Sequence, residues 1–274
     1  MAEAFGSLRR SASRTWAIAA AEIQKLRHNP LKFFTRSVQP ALWLTLFGEV
    51  MAGIRGVAAE NLRCLGSLAA GNLAQSALFV AIFYGIATIS ERDLGILQRY
   101  LVSPAPRLAL VLRKARSAGA RALFQAVMIY ILAASLGANI SYSPLGIFGV
   151  GITVILCSAL FSLLSLIIAC IVKTRQRCMG IGQMVAMPIF FASNATYPLA
   201  LMPGWMRAVS RLNPLTYQVD ALRALMLSGG TFDFGLGWDH AVLVVATGFM
   251  AVLAAGMYPR MGCWRSDRGT SEPR

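Results

Sequence analysis

Residues 144–172 read PLGIFGVGITVILCSALFSLLSLIIACIV, a run of 29 residues without a charged side chain. A helix needs about 20 apolar residues to cross the hydrocarbon core of a bilayer. This run exceeds that length, so a helix built on it must tilt or protrude. Working outward, further apolar stretches lie at 118–137 and 68–89 upstream, and at 179–195 and 241–258 downstream, with another at 38–54. Each reaches the lower limit of about 17 residues for a span. The expected fold is therefore an all-α membrane protein with six transmembrane helices.

Composition agrees. Of 274 residues 57% are hydrophobic and 14% are charged, where a soluble domain carries about a quarter charged residues. The apolar runs leave no room for a sizeable soluble domain. The net charge of +15 sits in the connections and ends, which suits anionic lipid headgroups and topology control better than nucleic acid. No nucleic-acid motif is present. The five cysteines, Cys64, Cys157, Cys170, Cys178 and Cys263, include no CxxC pair. Their scatter argues against a disulfide framework or metal site and for small apolar filler.

Orientation follows from the basic residues. Segments 1–37, 90–117, 173–178 and 259–274 hold 20 Lys/Arg, against 5 in 55–67, 138–143 and 196–240. By the positive-inside rule both termini are cytoplasmic. The expected organisation is a cytoplasmic segment 1–37, a six-helix domain 38–258 and a basic tail 259–274. Residues 1–14 have no apolar region directly behind them, so no cleavable signal peptide is expected. Between Arg14 and Phe34, Trp16, Ile18, Ala19, Ile23 and Leu26 alternate with charged residues as in an interfacial amphipathic helix. A disordered basic leader is the other reading.

Two stretches stand out. In 91–106, Leu94, Leu97 and Leu101 share a helical face with Tyr100 beside them, and Ser103-Pro104 ends the element. Such a helix offers a soluble partner an apolar ridge, or is an ordinary helix on the membrane surface. In 188–240, Pro188, Asn194, Pro198 and Pro203 interrupt the fifth apolar run, leaving pieces too short to span. Broken backbone at membrane depth needs protein or a water-filled cavity around it. The segment reads as a re-entrant pair of short helices followed by a helix capped at Asn213-Pro214, or as an external loop with interfacial aromatics. Asp220 and Arg223 are spaced i, i+3 and can pair. Glu49 is an intramembrane acid and hence a functional candidate. Its place near the outer end, six residues before Arg55, favours a structural role. Small residues at Ala115, Gly119 and Ala122, and at Gly180 and Gly182, suit close helix packing.

Glu91, Arg92, Gly95, Leu97, Tyr100, Leu101 and Ser103-Pro104 resemble the first cytoplasmic loop of the ABC type-2 exporter permeases. Asn213, Pro214, Leu215, Thr216 and Tyr217, continuing to Asp220 and Arg223, resemble that family's motif before the last transmembrane helix. The resemblance covers nearly the whole chain, although segment 60–66 is more polar than the family's pattern. It implies the membrane half of a drug or lipo-oligosaccharide exporter. Two permease copies, expected as a homodimer, would pair with two ATPase subunits and move an amphipathic substrate outward. The segment 91–100 would be the coupling helix. No cofactor is expected on this chain. A Walker A loop needs a Gly-Lys pair, and none of Lys25, Lys32, Lys114 and Lys173 follows glycine. ATP and magnesium would belong to the partner ATPase, and no catalytic constellation is expected. The rival classes are an ATP-independent channel or secondary transporter, which predicts charged or unwound groups at the membrane midplane, and a scaffold that recruits a soluble protein through 91–106. The expected location is the bacterial inner membrane.

Overall fold

The apolar run that opens the sequence argument folds as one helix at the centre of the molecule. The computed structural model describes residues 58–93, 107–136, 140–172, 174–195, 202–227 and 233–257, with residues 42, 45, 46 and 199 besides. These residues are almost entirely helical: α1 (Ala58–Asp93), α2 (Arg107–Ser135), α3 (Pro144–Ile171), α4 (Arg175–Phe191), α5 (Gly204–Leu212), α6 (Pro214–Met226) and α7 (Leu236–Met257). Four of them contain segments long and apolar enough to cross a membrane: 66–83 in α1, 114–135 in α2, α3 and α7. The fifth apolar stretch forms α4, whose 17 residues lie at the short end of the spanning range.

Helix α3 packs against α1, α2, α6 and α7. Its core face carries Val154, Cys157, Leu160, Phe161 and Leu163. Helix α1 is buried on most of its surface between Ala69 and Ala81, where alanines alternate with Leu73 and Leu78. Small side chains let neighbouring backbones approach, which is how helices gain packing energy where lipid removes the hydrophobic drive. Helix α2 presents Ala115, Ala118, Ala122, Ala126 and Ala133 to the core. A Cβ on its Gly119 would stand 3.3 Å from Ile155 of α3. Of the glycine pair in α4, Gly182 is the close-packed member, its missing Cβ 3.0 Å from Ile82, whereas Gly180 faces open space. The opposite faces of the long helices expose apolar residues, including Val127 and Ile131 on α2 and Val245, Phe249 and Val252 on α7. Contiguous apolar surface of this kind suits lipid or another membrane helix.

Three boundaries differ from the sequence reading. Residues 58–67 were expected in a polar loop and are helical, because no glycine or proline interrupts 58–65 and polarity alone does not end a helix. Helix α2 begins at Arg107, directly after Pro106, and carries Lys114 and Arg116 on its first half. Helix α7 begins at Leu236, so Asp239 and His240 lie in its first turns rather than in a loop.

Candidate functional site

The described part of the second motif forms a buried helix that joins several segments. In α6 every residue from Leu215 to Leu222 is buried. Eight consecutive residues cover more than two turns, so every face of the helix is enclosed, by α1, α3 and α7. Burying Thr216, Gln218 and Asp220 this way is costly unless their polar groups are used.

Asn213 works at both of its ends. Its Oδ1 accepts a 3.0 Å bond from the Leu215 amide, capping α6. Its Nδ2 donates at 2.6 Å to the carbonyl of Ile189, in the last turn of α4, where carbonyls lack intrahelical partners. Pro214 takes the first helical position, where its missing N–H costs nothing. Thr216 and Ser210 share a 3.0 Å hydroxyl bond. Tyr217 donates at 2.7 Å to the Arg211 carbonyl, and its ring lies 5.1 Å from that of Phe234.

Asp220 and Arg223, spaced so that they can pair along the helix, each also reach a further segment. Asp220 accepts the amides of Asp233 and Phe234 at 3.0–3.1 Å. Burial pushes its carboxyl above the ordinary value, against the pull of those two amides and of Arg223. Arg223 donates at 2.6 Å to the carbonyl of Asn194, in the turn that follows α4. At the end of α6 the Met226 carbonyl accepts a 2.7 Å bond from Ser141. The helix thus ties together the end of α4, α5, the approach to α7 and the connection between α2 and α3.

The turn held by Arg223 also meets α1. A Cβ on Gly71 would collide with the backbone carbonyl of Ala195, so only glycine allows this approach. Helix α5 lies at the margin: Trp205, Val209 and Leu212 are exposed along one side, and Arg207 donates to the carbonyls of Leu199 and Met202.

Of the first motif, Glu91 and Arg92 belong to the last turn of α1. Gly95, Leu97, Tyr100 and Leu101 lie outside the described residues, as do Glu49, most of the first apolar stretch and the expected amphipathic helix. Two polar residues of α7 have surroundings that the sequence did not announce. His240 bonds the Leu236 carbonyl through Nδ1 at 2.8 Å and lies 3.1 Å from the Thr153 hydroxyl of α3 through Nε2. Asp239 is fully buried. An acid followed by an apolar run is an N-terminal helix signal, and it was available in Trp238-Asp239-His240-Ala241-Val242.

Long apolar helices around a buried, capped helix that pins several segments define a multi-pass membrane protein built to hold its helices in a fixed relation. The chain belongs to the ABC-2 type transporter family, whose model matches residues 13–227. It is 27% identical over 212 residues to a ycf38 protein of Cyanophora paradoxa, covering 73% of this chain and 70% of the relative. It is 24% identical over 229 residues to the daunorubicin resistance ABC transporter permease protein DrrB1 of Streptomyces coeruleorubidus, covering 83% and 78%. With the inner membrane transport permease YadH of Escherichia coli K12 it shares 25% identity over 171 residues, covering 61% and 60%. This is a family of transport permeases, not of enzymes.

Proposed function

We propose that the chain is the membrane-spanning subunit of an ATP-driven exporter, moving an amphipathic molecule outward. Two copies form a homodimer, and two copies of a separate ATPase bind the cytoplasmic side, bringing the ATP and magnesium. Six helices span a bacterial inner membrane, with a cytoplasmic interfacial helix before the first, both termini inside and a re-entrant external segment before the last helix. The name of DrrB1 supports a drug-like substrate over a lipo-oligosaccharide, and the name of YadH supports the inner membrane.

The supporting observation is the continuity of α1. Its last turn carries Glu91 and Arg92, where the coupling segment begins. Gly71, twenty residues earlier and so about 30 Å away along the helix, packs on the turn that Arg223 of α6 holds. A push delivered at 91–100 by the closing ATPases would travel along a single rigid element to the α6 junction. ATP state would then bias a two-state membrane dimer.

Co-purification in detergent tests this. Wild type should retain its candidate ATPase, and a Glu91→Ala/Leu97→Asp variant that inserts normally should lose it. Wild type that binds no credible ATPase would refute the exporter reading, and ATP-independent flux would then be the function to assay.

A further inference from the structure

We propose that Asp220 and Asp239 form a proton-binding site, in which one proton is held between two buried carboxyl groups where α6 meets the first turn of α7. Asp220 is 2% exposed and Asp239 is fully buried. Both carboxyl oxygens of Asp239 are buried without a hydrogen-bond donor, the two helices pack against each other, and Asp220 is the charged group that acts most strongly on Asp239. The oxygens of Asp220 are engaged by the Asp233 and Phe234 amides.

An ionised carboxylate can only accept. Two ionised groups here would put like charges in contact away from water and leave Asp239 with no donor. One proton removes both defects. The protonated carboxyl donates to its partner, and the pair carries a single negative charge. That charge has favourable surroundings: the positive end of α7, the two loop amides and the Arg223 guanidinium.

Other ionisable groups lie around the pair. Asp233, on the approach to α7, has the same sign. Tyr217 of α6 donates to the Arg211 carbonyl of α5, and Arg223 donates to Asn194. His240 is engaged by Leu236 and Thr153. The 66–83 stretch of α1 and the whole of α3 contain no acidic or basic residue. No group of three acids, histidines or cysteines among the described residues converges as metal ligands. Protonation closes the contact between α6 and α7, and its loss at alkaline pH puts two repelling charges there.

Infrared difference spectroscopy on the full chain in lipid nanodiscs tests the site. Wild type should show the carbonyl-stretch band of a protonated carboxylic acid at neutral pH. The band should shift in heavy water and vanish on alkaline titration. Asp239→Asn should remove it, because the amide N–H replaces the proton. A carboxyl that holds its proton more tightly in the fold stabilises at low pH, and the effect is lost as pH rises. The unfolding temperature of wild type should therefore fall relative to that of Asp239→Asn from about pH 4 upward, where the unfolded carboxyl ionises, and level off once the folded pair has lost its proton. A band of equal size in wild type and variant would overturn the proposal. So would no band together with stabilisation by sodium at constant pH, since the pair would then be an ionised cation site. If Asp239→Asn does not fold, the wild-type titration decides alone: no band at neutral pH refutes the site.

Discussion

Asn213 shows how one side chain can serve two helices. Its oxygen caps α6 and its amide nitrogen closes an open carbonyl of α4. The two duties can be separated by substitution. Asn213→Ser keeps an acceptor for the cap and gives up the reach to Ile189. Asn213→Ala loses both, leaving a buried amide and a carbonyl unpaired. A lost cap costs about 1 kcal/mol, and a buried unsatisfied group adds about 1–3 kcal/mol. The expected order of thermal stability in nanodiscs is wild type, then Asn213→Ser, then Asn213→Ala. Equal loss in the two variants would mean that the cap contributes nothing. The Asn213-Pro214 pair was legible because its capping chemistry is local. The bond from Arg223 to Asn194, 29 residues away along the chain, was not, because i, i+3 spacing points only to the neighbour on the same helix.

At the scale of the elements, glycines report which helix faces are close. Gly71 touches backbone, and a Cβ there has nowhere to go. Overpacking costs about 1–3 kcal/mol, and Gly71→Ala should lower stability at least that far, since the Ala195 carbonyl cannot rotate aside. Gly180 sits in a helix with open space beside it. Gly180→Ala should instead raise stability by about 0.5–1 kcal/mol, through the smaller backbone entropy lost on folding. Thermal unfolding of the two variants side by side checks both signs. The sequence offered Gly180 and Gly182 together as small-residue packing sites, without saying which faced a neighbour, and did not single out Gly71. Among the described residues, helix existence was legible wherever apolar runs were long, because hydropathy reports lipid exposure directly. Helix ends were not. At 58–67, at 107–117 and at 236–240 polar residues continue a helix past the apolar run, and the signals there are breakers and caps rather than hydropathy. The α6 junction was half legible: the asparagine and proline punctuation of 194–214 announced broken structure, although α4 runs through Pro188 to Phe191 instead of breaking there, while the burial of 215–222 depends on packing against three other helices.

For the molecule as a whole, the length of α1 matters more than its composition. It runs unbroken for 36 residues, about 54 Å. The stretch around Gly71 meets the α6 junction, and the C-terminal end reaches Glu91 and Arg92. If this helix is the rod that carries the ATPase stroke, its stiffness and phase must count separately from partner binding. Inserting two glycines after Ala87 tests that. The insertion leaves 91–106 intact, so the ATPase should still co-purify. It also weakens the helix and turns everything beyond it by about 200°, so force no longer arrives at the same face. Allosteric couplings of 1–3 kcal/mol correspond to roughly 5- to 150-fold effects. Export by the complex should accordingly fall by roughly tenfold or more, with ATPase binding retained. Export at the wild-type rate would show that the stroke reaches the membrane helices by another route, and α2, which begins at Arg107 on the other side of the same segment, would become the element to interrupt next.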